Sequence, residues 1–393
     1  MSEYQYYEFL AIDRPLNAAD MAYVRTLSRR VQPTPSHAVF TYSYGDFPGD
    51  PLKLLAKHYD AMLYLTNWGT KQLAFRFPRA AIDTAALNPY YFGIEQIEVM
   101  TTAEHLILSI NFQEEDAFDW IEGEGLLTSL VPLRDDVLRG DLRTLYLAWL
   151  AAAARAESNT DESDTYAYHT QWDSLDEGTE DVVSMDAWIE PPVPPGLGQL
   201  NAALRAFMQF VGLDQDLVVA AAKGSAQLQP TEEPYDQWVP LLAEDERNTF
   251  LVRVARGEAV QSELLRRLRS IGGVRQPASA TIARRSFAEI AIVAQEVRRQ
   301  REAHEREAAR QARLAKLETL AKREPQVWLQ VEQLLAKRTA SGYDEAVARI
   351  LELRELALHR AQTEVFAGRL QDVLSPYASS TALRRRLRDH ELD

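Results

Sequence analysis

The sequence predicts an α+β domain with a mixed or antiparallel sheet, followed by an all-α region containing one long helix. Three observations carry this. Short runs rich in aromatic and β-branched residues, divided by Gly, Pro and Asn, occur between Tyr4 and Phe112. After Gly196 the apolar residues recur instead at helical spacing. From Ala283 to Arg323 there is neither proline nor glycine, so a helix of 41 residues can form; at about 1.5 Å per residue it would be roughly 60 Å long.

Taken in order, Tyr4–Ile12 reads as a strand. Asn17 then caps a helix with Asp20 in its first turn and Met21, Val24, Leu27 and Ser28 on one face. Ala38–Tyr44 is the next strand. The loop Gly45-Asp46-Phe47-Pro48-Gly49-Asp50-Pro51 leads into a helix over Leu52, Leu55 and Tyr59, with Pro51 suited to its first turn. Ala61–Thr66 and Lys71–Phe77 form a hairpin around Asn67-Trp68-Gly69-Thr70. Ile94–Met100 and Leu106–Phe112 make a further pair, and helices follow over Leu126–Leu138 and Leu142–Ala156. Beyond Gly196, Leu200, Leu204, Phe207, Met208 and Val211 share a helical face. Further helices are expected over 214–223, 244–256 and 258–271, with Gly272-Gly273 and Pro277 breaking the chain. Later on, Pro325, Gly342, Gly368 and Pro376 are expected to punctuate helices such as Val327–Lys337, Tyr343–Arg360 and Ala382–Leu387.

Charge sharpens the division. The net charge is −15 over 393 residues, but residues 1–200 hold −18 and residues 262–393 hold +7. Residues 156–196 contain 11 carboxylates and no basic side chain, and end in Pro191-Pro192-Val193-Pro194-Pro195-Gly196. Self-repulsion and the proline run predict a solvated linker, with Trp172 and Trp188 as tethering contacts. The organisation expected is therefore an α+β domain at 1–156, an acidic Pro-rich linker at 157–196, a helical domain at 197–275, and the long helix with helical hairpins at 283–393. The middle of that helix, Arg298–Arg313, offers only alanines to a core, so it should stay in solvent or meet a partner.

Several chemistries are disfavoured. Zero cysteines rule out disulfides, thiolate metal sites and cysteine nucleophiles. No P-loop, dinucleotide-binding glycine pattern or Gly-x-Ser-x-Gly elbow occurs. The seven histidines (37, 58, 105, 169, 304, 359 and 390) lie more than four residues apart, which excludes helical His-x-x-x-His zinc spacing. Of the carboxylate pairs, Glu95 and Glu98 would point to opposite faces of a strand, Asp135-Asp136 suit a solvated helix face, and Asp116/Asp119 show no metal pattern. No metal, cofactor or catalytic residue is assigned. No run of 18 apolar residues and no secretory leader is seen, so a cytoplasmic protein with no membrane contact is expected.

The most distinctive positions are polar and aromatic loop residues of the first domain: Asp13, Arg14, Asp46, Phe47, Asp50, Asn67 and Trp68. They are read as a binding edge for a partner protein or ligand, against a structural role as caps, turns and plugs. Asp13, Arg14, Asp46 and Asp50 would form the composite site if the protein were an enzyme. In the basic tail, Arg284, Arg285, Arg298 and Arg299 are candidates for phosphate contact. Interleaved pairs such as Glu302–Arg306 favour a self-paired helix.

The segments Tyr4–Leu16, Gly45-Asp46-Phe47-x-Gly49-Asp50-Pro51 and Asn67-Trp68-Gly69-Thr70 resemble a family of uncharacterised bacterial proteins over about the first 80 residues. Residues 342–370 (Gly-Tyr-Asp-Glu-Ala-Val onward to Phe366 and Arg369-Leu370) resemble the helical tail of bacterial proteins bearing a SWIM zinc finger. That finger needs Cys-x-Cys and Cys-x-His, so with no cysteine present its zinc and DNA contacts do not carry over. The expectation is a non-enzymatic interaction or scaffold protein. Its first domain would bind a partner, and its alanine-rich helices would support self-association as in a coiled coil. A nucleic-acid accessory factor is the alternative.

Overall fold

Alternation along Tyr4–Leu10 places large side chains on both faces of one strand, and a sheet covered on both sides follows from it. A computed structural model describes residues 3–43, 45–113, 123–161, 188–228, 233–256, 260–272 and 284–392. Tyr44, Asp116, Asp119, Trp172, Gly273 and Pro277 lie outside the described residues, as does most of the acidic segment. By compactness the chain divides into two units, Met1–Val297 and Arg298–Asp393.

In the first unit the strands are β1 (Tyr4–Leu10), β2 (His37–Ser43), β3 (Ala61–Thr66), β4 (Thr70–Pro78), β5 (Ile97–Thr101) and β6 (His105–Gln113). They form one six-stranded sheet in the order β2-β1-β3-β4-β6-β5, antiparallel throughout. The register sets Tyr7 opposite Phe40 and Tyr64, so three aromatics line one row. On that face Phe9, Phe40, Met62 and Tyr59 are buried under α1 (Ala18–Leu27) and α2 (Pro51–His58). Each such side chain contributes about 1.5–3 kcal/mol when fully buried. Asn17 and Asp20 close a capping box on α1, and Asp50 caps α2 by accepting from the N–H groups of Leu52 and Lys53.

The other face carries Tyr6, Leu63, Leu73, Phe75 and Leu108. It is covered by α3 (Thr84–Tyr91), α4 (Leu126–Leu130), α5 (Pro132–Leu138), α6 (Arg143–Asp161), α7 (Ala202–Phe210) and α8 (Gln215–Ala222). Pro132 starts α5, which splits the single helix expected over Leu126–Leu138. Neither α3, with Pro89 inside it, nor α9 (Tyr235–Trp238) is anticipated by the sequence pattern. With α11 (Gln261–Ile271), α9 forms a small cluster around Trp238, Leu242 and Leu268, and α10 (Glu244–Ala255) is tied to α11 by the ion pairs Arg253–Glu263 and Arg267–Glu246.

The proline-rich end of the acidic segment is packed, where solvated chain is expected. Ile189 bridges to Ser286, and Phe287 N–H donates to the Trp188 carbonyl at 2.8 Å. Glu190 is 2% exposed; it accepts from Tyr146 Oη and from Arg285 Nε and Nη2 at 2.8 and 2.6 Å. Burial, then the adjacent carboxylate, push the Tyr146 hydroxyl far above its ordinary pKa.

The long helix is α12 (Phe287–Ala336), 50 residues that continue through Pro325 instead of stopping there. Residues 298–313 are exposed apart from half-buried Glu302, as the alanine-only pattern implies. In the second unit, α13 (Ala340–His359), α14 (Thr363–Leu374) and α15 (Thr381–Asp389) pack on Val327, Trp328, Val331 and Leu335 of α12. Gly342 and Gly368 fall inside α13 and α14 instead of between helices.

Candidate partner-binding groove

The seven loop residues of the first unit are largely committed to holding the sheet together. Asp13 accepts from Arg134 Nη1 at 3.0 Å and Nη2 at 2.5 Å, and Arg134 is 1% exposed. Arg134 Nε also donates to the Arg76 carbonyl at 2.9 Å. Arg76 in turn holds Asp60 Oδ1, whose second oxygen accepts from the N–H groups of Ile12 and Asp13. Burial alone would raise the Asp60 pKa; Arg76, Arg134 and these hydrogen bonds outweigh it and hold the carboxyl below its usual range.

Arg14 lies 3.6 Å from Asp20. Asp46 accepts from Gln5 Nε2 at 3.1 Å, and Phe47, 7% exposed, plugs the aromatic row within 5.0 Å of the Tyr7 ring. Asp50 is a helix cap. Asn67 Oδ1 accepts from the Tyr4 N–H at 2.8 Å, and the Trp68 carbonyl accepts from Gln113. The turn needs Gly69, whose φ is +95°. Asp46 contacts Gln5 near the start of β1 whereas Asp13 follows its end; the five intervening steps span about 16 Å at about 3.3 Å each. The structure does not bring Asp13 and Arg14 together with Asp46, so no composite acid–base site forms from them.

Of the four candidate phosphate-binding arginines, Arg285 is bound to Glu190 and to the carbonyls of Ala220 and Ala221. Arg284 lines a cleft of about 560 Å³ beside Tyr90 and Pro192, while Arg298 and Arg299 lie in the exposed stretch of α12. Among the described residues no three His, Asp or Glu side chains are grouped as a metal ion would require.

The second unit carries an open groove with an apolar floor. The stripe Thr363, Phe366, Leu370 and Leu374 of α14 forms the floor of a groove of about 780 Å³. Leu358 at the end of α13 forms one wall, and Leu383 and Leu387 of α15 form the other. Thr339 and Ser380 cap α13 and α15 by accepting from the Gly342 and Leu383 N–H groups, which fixes where these walls begin. Leu370, Leu383 and Leu387 serve the unit's own core as well, whereas Leu358 is 59% exposed. A smaller depression of about 320 Å³ adjoins at Ala357 and Phe366, lined also by Trp328, Val365 and Arg369. Val365 is 71% exposed there.

Arg354, Arg384 and Glu391 are the ionic residues in the wall of the larger groove. Arg386 is spent on Asp344 at 2.5 Å; that hydrogen bond lowers the Asp344 carboxyl and raises the guanidinium. Arg384 and Arg388 have no ion pair among the described residues, so the exposed side of α15 is cationic. Apolar residues at i, i+4 and i+8 in α14 were the available signal for the floor. The same stripe also fits a helix buried in its own core, so spacing could not single it out. Comparison of the chain with protein-family models, curated proteins and solved structures returned no match.

Proposed function

We propose that this is a non-enzymatic interaction protein, in which the helical unit takes up a segment of a partner and the sheet unit is a rigid platform. One observation carries the reading: α13, α14 and α15 leave an apolar groove uncovered, with Leu358 at its lip 59% exposed. Exposed apolar surface of that kind on a folded protein marks a place of association. The commitment of Asp13, Asp50, Asn67 and Phe47 to internal contacts supports a platform role for the first unit. The nucleic-acid alternative draws less support, since Arg285 is neutralised by a buried carboxylate.

Anilinonaphthalene sulfonate, an apolar dye, tests the reading on the full chain. The folded protein is expected to enhance its emission, and Leu358→Asp to remove most of that enhancement while leaving the circular dichroism unchanged. Equal emission from both proteins would end the proposal. Light scattering on the same samples addresses self-assembly: a strict monomer at high micromolar concentration removes the oligomer part of it.

A further inference from the structure

The geometry points to an amphipathic α-helix with a carboxylate-bearing rim as the occupant of the α13–α14–α15 groove; this rests on the groove reading above. Three features of the groove lead there. First, its floor, Thr363 to Leu374, is the whole of α14, 12 residues; the steps between its ends cover about 16 Å at about 1.5 Å per residue, which matches three turns of a second helix. Second, the apolar part of its lining is leucine, phenylalanine and alanine side chains, most of them on helices whose backbone groups bond internally. The described residues of the unit contain no strand, so an extended peptide would find no edge on which to satisfy its N–H and C=O groups. A helical segment satisfies its own and can lay leucine-like anchors at i, i+3 or i+4 and i+7 along the floor.

Third, the lip is cationic. Arg354 and Arg384 face the groove against the single carboxylate of Glu391, and Arg385 and Arg388 lie exposed on the same short helix. Asp389 approaches Arg385 only at 4.0 Å, and both are largely exposed. The complementary helix therefore carries Asp or Glu on the turns flanking its apolar stripe, while Lys or Arg there would be repelled.

The test uses the full chain and fluorescently labelled helical peptides. One probe has leucines at i, i+3, i+7 and i+10 with glutamates on the flanking positions; a second replaces those glutamates by lysine, and a third replaces the leucines by serine. The acidic probe is expected to bind in the micromolar range and the lysine twin about tenfold or more weaker, a difference of about 1.4 kcal/mol. The serine twin is expected not to bind. Arg384→Glu should erase the acidic preference, and Leu358→Asp should abolish binding of every probe.

Equal affinity for the acidic and lysine probes, or a preference for lysine, overturns the partner assignment while leaving the groove reading standing, provided Leu358→Asp still abolishes binding. No binding of any probe by the native chain overturns the helix assignment, and the dye experiment then decides the groove itself. Displacement of the acidic probe by a single-stranded oligonucleotide at low salt, at lower concentration than by unlabelled peptide, would overturn it in favour of a polyanion site. Val365→Asp, in the adjoining depression, should leave the acidic probe's affinity unchanged; loss there would place the occupant in the wrong trough.

Discussion

Arg134 shows how one side chain can hold the ends of three elements. It is 1% exposed, bidentate to Asp13 and bonded to the Arg76 carbonyl, with Asp60 Oδ1 at 3.8 Å. Arg134→Met keeps the volume but leaves Asp13 without its partner, and breaking a buried pair in this way costs about 3–5 kcal/mol. Urea denaturation is expected to show that loss, with a smaller one for Asp13→Asn because the aspartate is partly in water. His58 makes a different prediction. Burial lowers its pKa, Asp20 at 3.2 Å pulls it back up, and Lys57 and Arg76 lower it again; the net direction is below 6.5. The unfolded chain therefore takes up a proton that the folded chain refuses, and stability falls as pH drops from about 7 towards 5. His105 is lowered as well, by burial first, and adds to the same window. Thermal melts against pH should flatten over that window in a His58→Leu, His105→Leu double variant. An unchanged slope would assign the effect elsewhere. Asp60 acts below this range: its carboxyl is depressed, so its contribution is present above the ordinary carboxylate range and lost only as pH falls through the lower folded value.

At the scale of elements, two helical glycines separate propensity from packing. A Cβ on Gly342 would lie 2.8 Å from the Leu334 carbonyl oxygen and 2.9 Å from Thr339 Oγ1, so α13 can approach the end of α12 only with glycine there. A Cβ on Gly368 meets nothing within 4 Å. The same substitution should thus have opposite signs: Gly368→Ala gains about 0.5–1 kcal/mol from lost chain entropy, and Gly342→Ala loses stability in the same denaturation assay. Pro325 extends the contrast. It sits exposed within α12, removes one helical donor and crowds the preceding turn. Pro325→Ala is expected to stabilise the second unit by about 1–3 kcal/mol, read as a higher urea midpoint. Local chemistry favours a helix end at Pro325; the packing of Leu320 before it and of Val327, Trp328 and Val331 after it into one core outweighs that preference.

For the whole molecule, the division into Met1–Val297 and Arg298–Asp393 coincides with a division of charge. Residues 298–393 carry 19 basic and 15 acidic side chains, and the remainder is net −19. Each unit has its own core, one on the two faces of the sheet and one around Trp328 and Ile350. Two cores with no shared residues are expected to unfold in two transitions. Gly342→Ala should shift one of them and Arg134→Met the other, followed by tryptophan fluorescence and far-ultraviolet circular dichroism. A single transition moved by both variants would show the units to be cooperative.

Much of the architecture was legible locally. Alternating aromatics in Tyr4–Leu10 and His37–Ser43, the caps Asn17 and Asp50, and the turn at Gly69 specify strands, helix starts and a hairpin, because each depends on neighbours within a few residues. The stretch 298–313, whose only apolar residues are alanines, likewise announced its own exposure, since alanine cannot bury enough surface to hold a helix down. Partnerships across the chain were not legible. Asp13 with Arg134, Glu190 with Arg285, and the carboxamide of Asn67 with Tyr4 join residues far apart in sequence, and a polar side chain looks the same whether it faces water or a distant guanidinium. The groove belongs to that class too. Spacing marks Phe366, Leu370 and Leu374 as one helical face, but only the closing of α13 and α15 around them decides which part is core and which is left open.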